Sequence, residues 1–157
     1  MTGNRKGFSL LEMVVSAGIF ALVLEVVSGV FITSLISQKQ SYGLKRAQED
    51  GRYIMEFLEK EARMAQYNSA CAGSDIFKIL DSGQELKFTT SSGQCVNYKF
   101  SGNQLWRNGE PMNSNLTKIS QANFSESQGL LNYSFDISYL KGNYTININS
   151  SVSSRAK

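Results

Sequence analysis

The sequence predicts an α+β protein in which one long N-terminal helix precedes a β-rich head. Residues 8–36 are almost all apolar or small, and residues 37–67 repeat apolar side chains at intervals of three and four. Residues 68–157 instead contain short alternating runs separated by turn sequences. These patterns are typical of a membrane-spanning helix, of its amphipathic continuation and of strands, respectively. We therefore expect a helix from about Ser9 to Gln66, packed on an antiparallel sheet.

The apolar run is long enough to cross a bilayer, for which about 20 residues suffice. Only Glu12 and Glu25 carry charge within it. A carboxylate inside a bilayer costs roughly 2.5 kcal/mol or more, so Glu12 requires a partner or a role. Glu25 lies near the far end of the run, because a helix rises about 1.5 Å per residue. We expect Glu25 to reach headgroups or water, and a contact with a partner helix is the alternative.

A short basic leader ends in Gly7, and residues 6–13 read Lys-Gly-Phe-Ser-Leu-Leu-Glu-Met. This segment resembles the processing motif of the type IV prepilins and of the pseudopilins of type II secretion. The resemblance implies that a prepilin peptidase cleaves after Gly7 and N-methylates Phe8, and that Glu12 guides assembly. It covers Arg5 to about Ile36, and the remainder of the chain agrees with the family in architecture only.

The chemistry of these residues fits that implication. Gly7 has no side chain, so a protease subsite closed around bare backbone admits it and excludes bulkier residues. Cleavage leaves a cationic amine on Phe8, and the Glu12 carboxylate of a neighbouring helix can satisfy that charge in lipid. The simpler interpretation of Gly7 is a glycine that flanks a helix. The simpler interpretation of Glu12 is a glutamate whose side chain extends to the headgroups.

Two other classes of N-terminal segment are alternatives. A secretory signal peptide has an apolar core of about 7–15 residues and an A-x-A-like site, whereas this run is longer and no such site follows it. A generic signal anchor explains the length and the basic leader but not Glu12. Basic residues flank the run on both sides, so charge alone does not fix its orientation. The resemblance implies a cytoplasmic N-terminus.

Together the pattern and the resemblance divide the chain into four parts. These are a leader at residues 1–7, a transmembrane and assembly helix at 8–36, an amphipathic helix at 37–67 and a β-rich head at 68–157. The implied location is the cytoplasmic (inner) membrane, crossed once with an extracytoplasmic head, and then a pilus or pseudopilus. The implied partners are prepilin peptidase, other pilin or pseudopilin subunits through the N-terminal helix, the inner-membrane assembly platform and the lipid bilayer.

Composition argues against several classes of function. The net charge is +3, and the leader carries two of the positive charges, so a nucleic-acid partner is not indicated. The chain has no histidine, which removes Ser/His and Cys/His catalysis and the commonest zinc ligand. Asp75, Asp81 and Glu85 suggest at most a weak calcium site and are more simply turn and edge residues. We therefore expect no enzyme, no catalytic residue, no metal and no cofactor.

The resemblance implies a structural subunit, a minor type IV pilin or a pseudopilin. An aromatic hairpin containing Leu105, Trp106 and Arg107 is similar to larger minor pilins and to the J-type pseudopilin. We expect Trp106 to be core or half-buried packing rather than a ligand platform. The alternative function is a membrane-anchored extracytoplasmic enzyme or ligand-binding domain that follows an unrelated signal anchor.

The two cysteines, Cys71 and Cys95, both follow the apolar run. An extracytoplasmic compartment favours a disulfide between them, and the chain-entropy model assigns such a bond roughly 3.5 kcal/mol. Two unpaired buried thiols are the alternative.

The amphipathic half of the helix predicts one buried stripe and one solvated face. The stripe consists of Leu44, Ala47, Gly51, Ile54, Leu58, Ala62 and Ala65. Oppositely charged residues at i,i+4 spacing predict the solvated face. These pairs are Lys45/Glu49, Arg46/Asp50, Glu56/Lys60 and Glu59/Arg63.

Alternation and turn sequences predict the strands of the head. The segments are Ile76–Leu80, Glu85–Thr90, Val96–Phe100, Gln104–Arg107, Leu131–Leu140 and Tyr144–Val152, with a polar connection leading to 116–124. A turn is expected at residues 108–111, because Pro111 cannot donate to a ladder. In the last strand, Tyr144, Ile146 and Ile148 are expected to face the core.

Overall fold

The computed structural model describes residues 9–142 and 144–155. The chain divides into two compact units, residues 1–41 and 42–157, and one helix, α1 (Leu10–Arg63), contributes to both. The α+β class is therefore confirmed. Gly7 and Phe8, the residues predicted for cleavage and methylation, lie outside the described residues.

In the first unit, α1 is a regular helix in which three hydroxyl groups bond to the helix's own carbonyls. The hydroxyls of Ser16, Ser28 and Thr33 donate to the carbonyls four residues earlier, at 2.7, 2.7 and 2.9 Å. An unsatisfied polar group costs several kcal/mol in hydrocarbon, so these hydrogen bonds lower the free-energy cost of placing the three hydroxyls in lipid. Gly18 and Gly29 have open space around them and do not interrupt the helix.

In the second unit, α1 ends a few residues before the expected Gln66. The Gln66 amide donates to the carbonyl of Thr89 at 2.9 Å, as an isolated bridge to a strand. The backbone at this point therefore pairs with a sheet instead of continuing the helix. A helix ending of this kind depends on a long-range pairing that periodicity cannot indicate.

The head contains two antiparallel sheets instead of the single sheet expected. The first is a five-stranded meander of β1 (Phe77–Leu80), β2 (Glu85–Thr89), β3 (Cys95–Ser101), β4 (Gln104–Arg107) and β5 (Glu110–Pro111). The second is a three-stranded meander of β6 (Thr117–Ser127), β7 (Leu130–Tyr139) and β8 (Thr145–Ser153). The Ile119 amide donates to the carbonyl of Asn103 at 2.8 Å, which links β6 to the turn before β4.

The expected turn at residues 108–111 is shorter than predicted. Asn108 and Gly109 alone form it, with φ of 50° and 88°, and β5 then pairs with β4. Two residues with positive φ are typical of a type I′ hairpin. Pro111 is tolerated because β5 is the edge strand of its sheet.

The core lies between α1 and the inner faces of both sheets. The buried helix residues are Gly43, Ala47, Gly51, Ile54, Leu58 and Ala62, with Ala65 just beyond the helix. From the sheets, the core takes Phe77, Leu86, Phe88, Val96, Tyr98, Leu105, Ile119, Phe124, Leu131, Tyr133, Phe135, Ile137 and Val152. Small residues allow α1 to approach the sheet closely, since a Cβ on Gly43 would come within 2.7 Å of the Tyr139 ring.

Two residues expected in the core are exposed. Leu44 is 39% exposed because Gly43, one residue earlier, occupies the position that faces Tyr139. Tyr144 is 54% exposed because β8 begins one residue later, at Thr145. Ile146 and Ile148 pack against the core as predicted.

Candidate functional site

Glu12 lies in the first turn of α1. The amide of the next residue, Met13, donates to the carbonyl of Ser9 at 3.2 Å, so the helix is already formed there. The carboxylate of Glu12 is exposed, and within residues 9–142 and 144–155 it makes no hydrogen bond or ion pair. A carboxylate in a first turn complements the helix dipole. The chain thus presents an acceptor that is free to pair with an external cation.

The helix surface around Glu12 is mostly apolar. The exposed large side chains include Leu10, Leu11, Met13, Val14, Val15, Ile19, Phe20, Leu22, Val23, Leu24, Val26, Val27, Val30, Phe31, Ile32, Leu35 and Ile36. The most apolar part of α1 is entirely unburied and is long and apolar enough to cross a membrane. A helix that is hydrophobic all round requires lipid or other helices as its surroundings.

Glu25 is likewise exposed within this surface. In the part of the chain that the structure describes, its carboxylate has no hydrogen-bond or ion-pair partner. Whether it reaches headgroups or a neighbouring helix stays a prediction.

The charged face of α1 in the head is only partly solvated. The pairs Lys45–Glu49 and Glu59–Arg63 form as predicted, at 4.0 and 3.3 Å. The other two predicted pairs are wrong. Arg46 contacts Glu49 at 3.2 Å instead of Asp50, and Glu56 contacts Arg52 at 3.5 Å instead of Lys60.

Asp50 instead binds the segment that connects the two sheets. Its carboxylate accepts from the Ser114 amide at 3.0 Å, from the Ser114 hydroxyl at 2.7 Å and from the Thr117 hydroxyl at 2.6 Å. The same segment contains the buried Asn113, whose side chain joins the Leu105 amide to the Thr117 carbonyl at 3.1 and 3.0 Å. These bonds fix the start of β6 against α1.

Glu61 attaches α1 to the first sheet. Arg107 on β4 donates to both carboxylate oxygens of Glu61, at 3.0 and 2.6 Å, and the Tyr98 hydroxyl donates at 2.5 Å. The guanidinium lies 5.2 Å from the ring centroid of Phe57. Burial raises the pKa of Tyr98 well above its usual range, and Glu61 raises it further, so Tyr98 stays a donor. Hydrogen bonds to Glu61 also raise the pKa of Arg107.

Glu59 attaches α1 to the second sheet. Its carboxylate accepts from the Ser150 hydroxyl at 2.7 Å and from the Tyr133 hydroxyl at 2.9 Å. The Ser150 bond is the main cause that lowers the pKa of Glu59, and Tyr133 and Arg63 lower it further. Together with Glu61, Glu59 holds the helix to both sheets by charge-assisted hydrogen bonds.

We expect Glu59→Gln to lower the free energy of unfolding at pH 7 by about 1–2 kcal/mol, as hydrogen bonds to a charged group contribute about 1.5–3 kcal/mol. Folding lowers the pKa of Glu59, so its carboxylate stabilises the folded state fully at pH values above its pKa in the unfolded chain, about 4.3. This stabilisation is lost as the pH falls through the pKa of the folded state. Urea unfolding of both proteins between pH 3 and 7 measures this difference.

Glu56→Gln is the matched control, since Glu56 pairs with Arg52 on the exposed surface and should contribute little. A difference between wild type and Glu59→Gln that does not change with pH would contradict the role of the carboxylate charge.

Cys71 and Cys95 form the predicted disulfide. Cys71 lies in the loop after α1 and Cys95 opens β3, with their Cα atoms 5.6 Å apart. The bond fastens this loop to the middle strand of the first sheet.

The structure gives no support to the weak calcium site. No group of three or more Asp, Glu or Cys side chains that could hold a metal occurs among the described residues. Asp81 begins a short 3-10 turn, and Glu85 pairs with Lys87 at 3.0 Å and Lys99 at 3.7 Å.

The N-terminal segment matches a known protein-family model. Residues 2–24 match the model described as the prokaryotic N-terminal methylation motif. This motif is the signature of the type IV prepilins and pseudopilins, and the chain carries it at the start of its apolar helix. No curated protein and no solved structure matches the chain significantly.

Proposed function

We propose that this protein is a minor type IV pilin or a pseudopilin, a structural subunit that is stored in the cytoplasmic membrane and assembled into a pilus or a secretion pseudopilus. The observation that carries the proposal is the methylation motif at residues 2–24, joined to an unburied apolar helix in which Glu12 has no partner among the described residues. The motif favours a structural subunit over an enzyme.

Processing is the first step of the proposed role. A prepilin peptidase hydrolyses the peptide bond between Gly7 and Phe8 and so releases the basic leader. The new terminal amine on Phe8, in its neutral form, then takes a methyl group from a methylsulfonium donor, which leaves as a thioether, and the methylated amine is a cation. The mature chain begins at the apolar helix. It carries a positive charge on the Phe8 amine and, four residues later, a negative charge on the Glu12 carboxylate.

Assembly is the second step, and the N-terminal helix mediates it. Two such helices shifted along the fibre axis can place the Glu12 carboxylate of one beside the Phe8 amine of the other. Each charge then satisfies the other away from water, which lowers the cost of burying both. The apolar surface around Glu12 exchanges lipid for neighbouring helices during the same step. The assembly platform of the inner membrane is the expected site of this exchange.

The head supplies the part of the subunit that remains outside the membrane. Asp50, Glu59 and Glu61 bind α1 to both sheets, so the head has a fixed attachment to the helix segment from Gly43 to Ala62. Through this attachment, a force applied to the helix during assembly also moves the head.

Cleavage at Gly7 is the step that tests the proposal most directly. We expect wild type, co-expressed with a prepilin peptidase, to yield a chain that begins with methylated Phe8. Gly7→Leu should retain the leader, because its side chain cannot enter a subsite shaped for backbone. Mass spectrometry of the intact protein distinguishes the two products.

Gly3→Leu is the matched control, since Gly3 lies in the same leader away from the cleaved bond, and it should be processed like wild type. An unprocessed Met1 terminus in wild type, or normal cleavage of Gly7→Leu, would contradict the proposed processing.

A further inference from the structure

The outer face of the five-stranded sheet carries the only tryptophan of the chain, Trp106. Side chains alternate along β4, and its neighbours point inward: Leu105 is buried in the core and Arg107 binds Glu61 on α1. Trp106 therefore points away from the core. It is half-buried, as the sequence predicts, but it does not contribute to the packing between α1 and the sheets.

A hydrogen bond fixes the orientation of the indole ring. Its Nε1–H donates to the carbonyl of Ser101 at 2.9 Å, at the end of β3. Trp106 also lies directly opposite Lys99 on β3 and Pro111 on β5 in the strand register. A side chain held in this way loses little further freedom when a ligand binds, so it is preorganised for contact.

A groove runs across β3 and β4 beside this ring. Its lining residues are Asn97, Lys99, Ser101, Gly102, Trp106 and Gly109, and its volume is about 410 Å³. Gly102 and Gly109 belong to the turns at the two ends of β4, have positive φ, and have open space where a Cβ would stand. The two glycines therefore leave both ends of the groove uncovered.

The groove combines one apolar surface with a polar rim. The indole supplies the apolar surface, while an amide, a hydroxyl and an ammonium group come from Asn97, Ser101 and Lys99. Lys99 is the charged residue of this lining, and its ammonium lies 3.7 Å from the Glu85 carboxylate, which Lys87 shares at 3.0 Å, so the charge at the groove is partly compensated. Such a site suits a ligand that has an apolar face, hydroxyl groups around its edge and no strong charge.

We propose that this groove binds the sugar rings of a neutral saccharide, with one ring stacked on Trp106 and its hydroxyl groups bonded to Asn97, Ser101 and Lys99. A protein partner fits less well, because a stable interface buries about 800 Å² on each side. Around the groove the same sheet face presents Lys78, Lys87 and Glu85, which separate Trp106 and Pro111 from Leu80 at the other side of the sheet. The proposal concerns the head alone and does not depend on cleavage or assembly.

Because Trp106 is the only tryptophan, its fluorescence reports directly on this groove. The full chain is held in lipid nanodiscs, since maltoside or glucoside detergents would themselves offer sugar headgroups. Maltohexaose, cellohexaose and the hexamer of N-acetylglucosamine are titrated separately, and a uronic-acid hexasaccharide tests the preference for neutral chains. We expect a saturable change in emission with at least one neutral hexasaccharide.

Variants then locate the site. Asn97→Ala keeps the reporter and should raise the dissociation constant at least about five-fold, as its amide bonds the hydroxyl groups. Trp106→Ala should raise it more than about ten-fold, measured by calorimetry. Lys78→Gln, on β1 of the same sheet but outside the groove, is the matched control and should bind like wild type. Circular dichroism and an intact disulfide check that each variant is folded.

Three results would overturn the proposal: no saturable binding of any neutral hexasaccharide, undiminished binding to Trp106→Ala, or binding of the uronic-acid chain alone. If Trp106→Ala bound saccharides like wild type and instead failed to enter the fibre, the groove would be a contact between subunits.

Discussion

Glu12→Gln should prevent incorporation of this subunit into a fibre while its head remains folded and its leader is still removed. In the assembled fibre, the Glu12 carboxylate is expected to pair with the Phe8 amine of a neighbour, away from bulk water. Removing one partner of a buried pair costs about 3–5 kcal/mol because the other charge is left uncompensated. Each 1.4 kcal/mol is about a ten-fold change in equilibrium, so incorporation should fall by at least roughly a hundred-fold.

The stored monomer should not be harmed by the same change. A carboxylate in the apolar run costs roughly 2.5 kcal/mol or more in lipid, and glutamine lowers that cost. In the described residues Glu12 has no partner to lose. The packing of the head is made by the helix face from Gly43 to Ala62 and by both sheets, so its thermal midpoint should be unchanged.

Membrane level, leader cleavage and fibre incorporation are measured side by side for wild type and Glu12→Gln. Glu25→Gln is the matched control, because it neutralises the other carboxylate of the same run and is expected to have little effect. Normal incorporation of Glu12→Gln would contradict the assembly role. A failure of cleavage or of membrane insertion would show that Glu12 acts at an earlier step.

The sequence predicts the helix well because its signals are local. An apolar run without proline and a stripe at intervals of three and four both concern residues within a few turns of each other. The same holds for the strands, where alternation gives the inward positions Leu131, Tyr133, Phe135 and Ile137. The one-residue error at Leu44 arises because glycine carries no hydropathy signal, although Gly43 lies at the center of the contact with Tyr139.

The attachment of the helix to the sheets could not be predicted in the same way. Glu61 meets Arg107 46 residues later, and Glu59 meets Ser150 91 residues later. Local spacing gives Glu59 a partner on the helix, Arg63, which it also contacts at 3.3 Å, but it gives Glu61 no cation three or four residues away. Glu61 makes a bidentate bond to the half-buried Arg107, which is stronger than an exposed i,i+4 pair. Only the strand register shows which sheet residue lies opposite each carboxylate of the helix.

The separation into two sheets also depends on long-range contacts. The segment after Pro111 is held by Asn113 and by Asp50, and β6 then pairs with β7. The register between β6 and β7 shifts between Ile119 and Gln121, beside the bond from the Ile119 amide to the Asn103 carbonyl in the first sheet's turn. Neither the buried asparagine nor the bulge has a sequence signature that distinguishes it from an ordinary polar connection.

Loss of the disulfide should destabilise the head by about 3.5 kcal/mol, the chain-entropy value for a loop of this length. The bond joins residues separated by 24 positions and closes a loop that contains β1 and β2. Between α1 and β1 the loop has few other restraints, such as the Ala70 amide donating to the side chain of Asn68 at 3.0 Å. We therefore expect Cys71→Ser to loosen this loop first.

Guanidinium unfolding of the full chain in nanodiscs, followed by the emission of Trp106, measures the stability of the head. Cys71→Ser, Cys95→Ser and the double variant should lose equal stability, because all three remove the same bond. Ser69→Ala, in the same loop, is the control and should be unchanged. An unshifted midpoint in the cysteine variants, or two free thiols in denatured and unreduced wild type, would contradict the stabilising role of the disulfide.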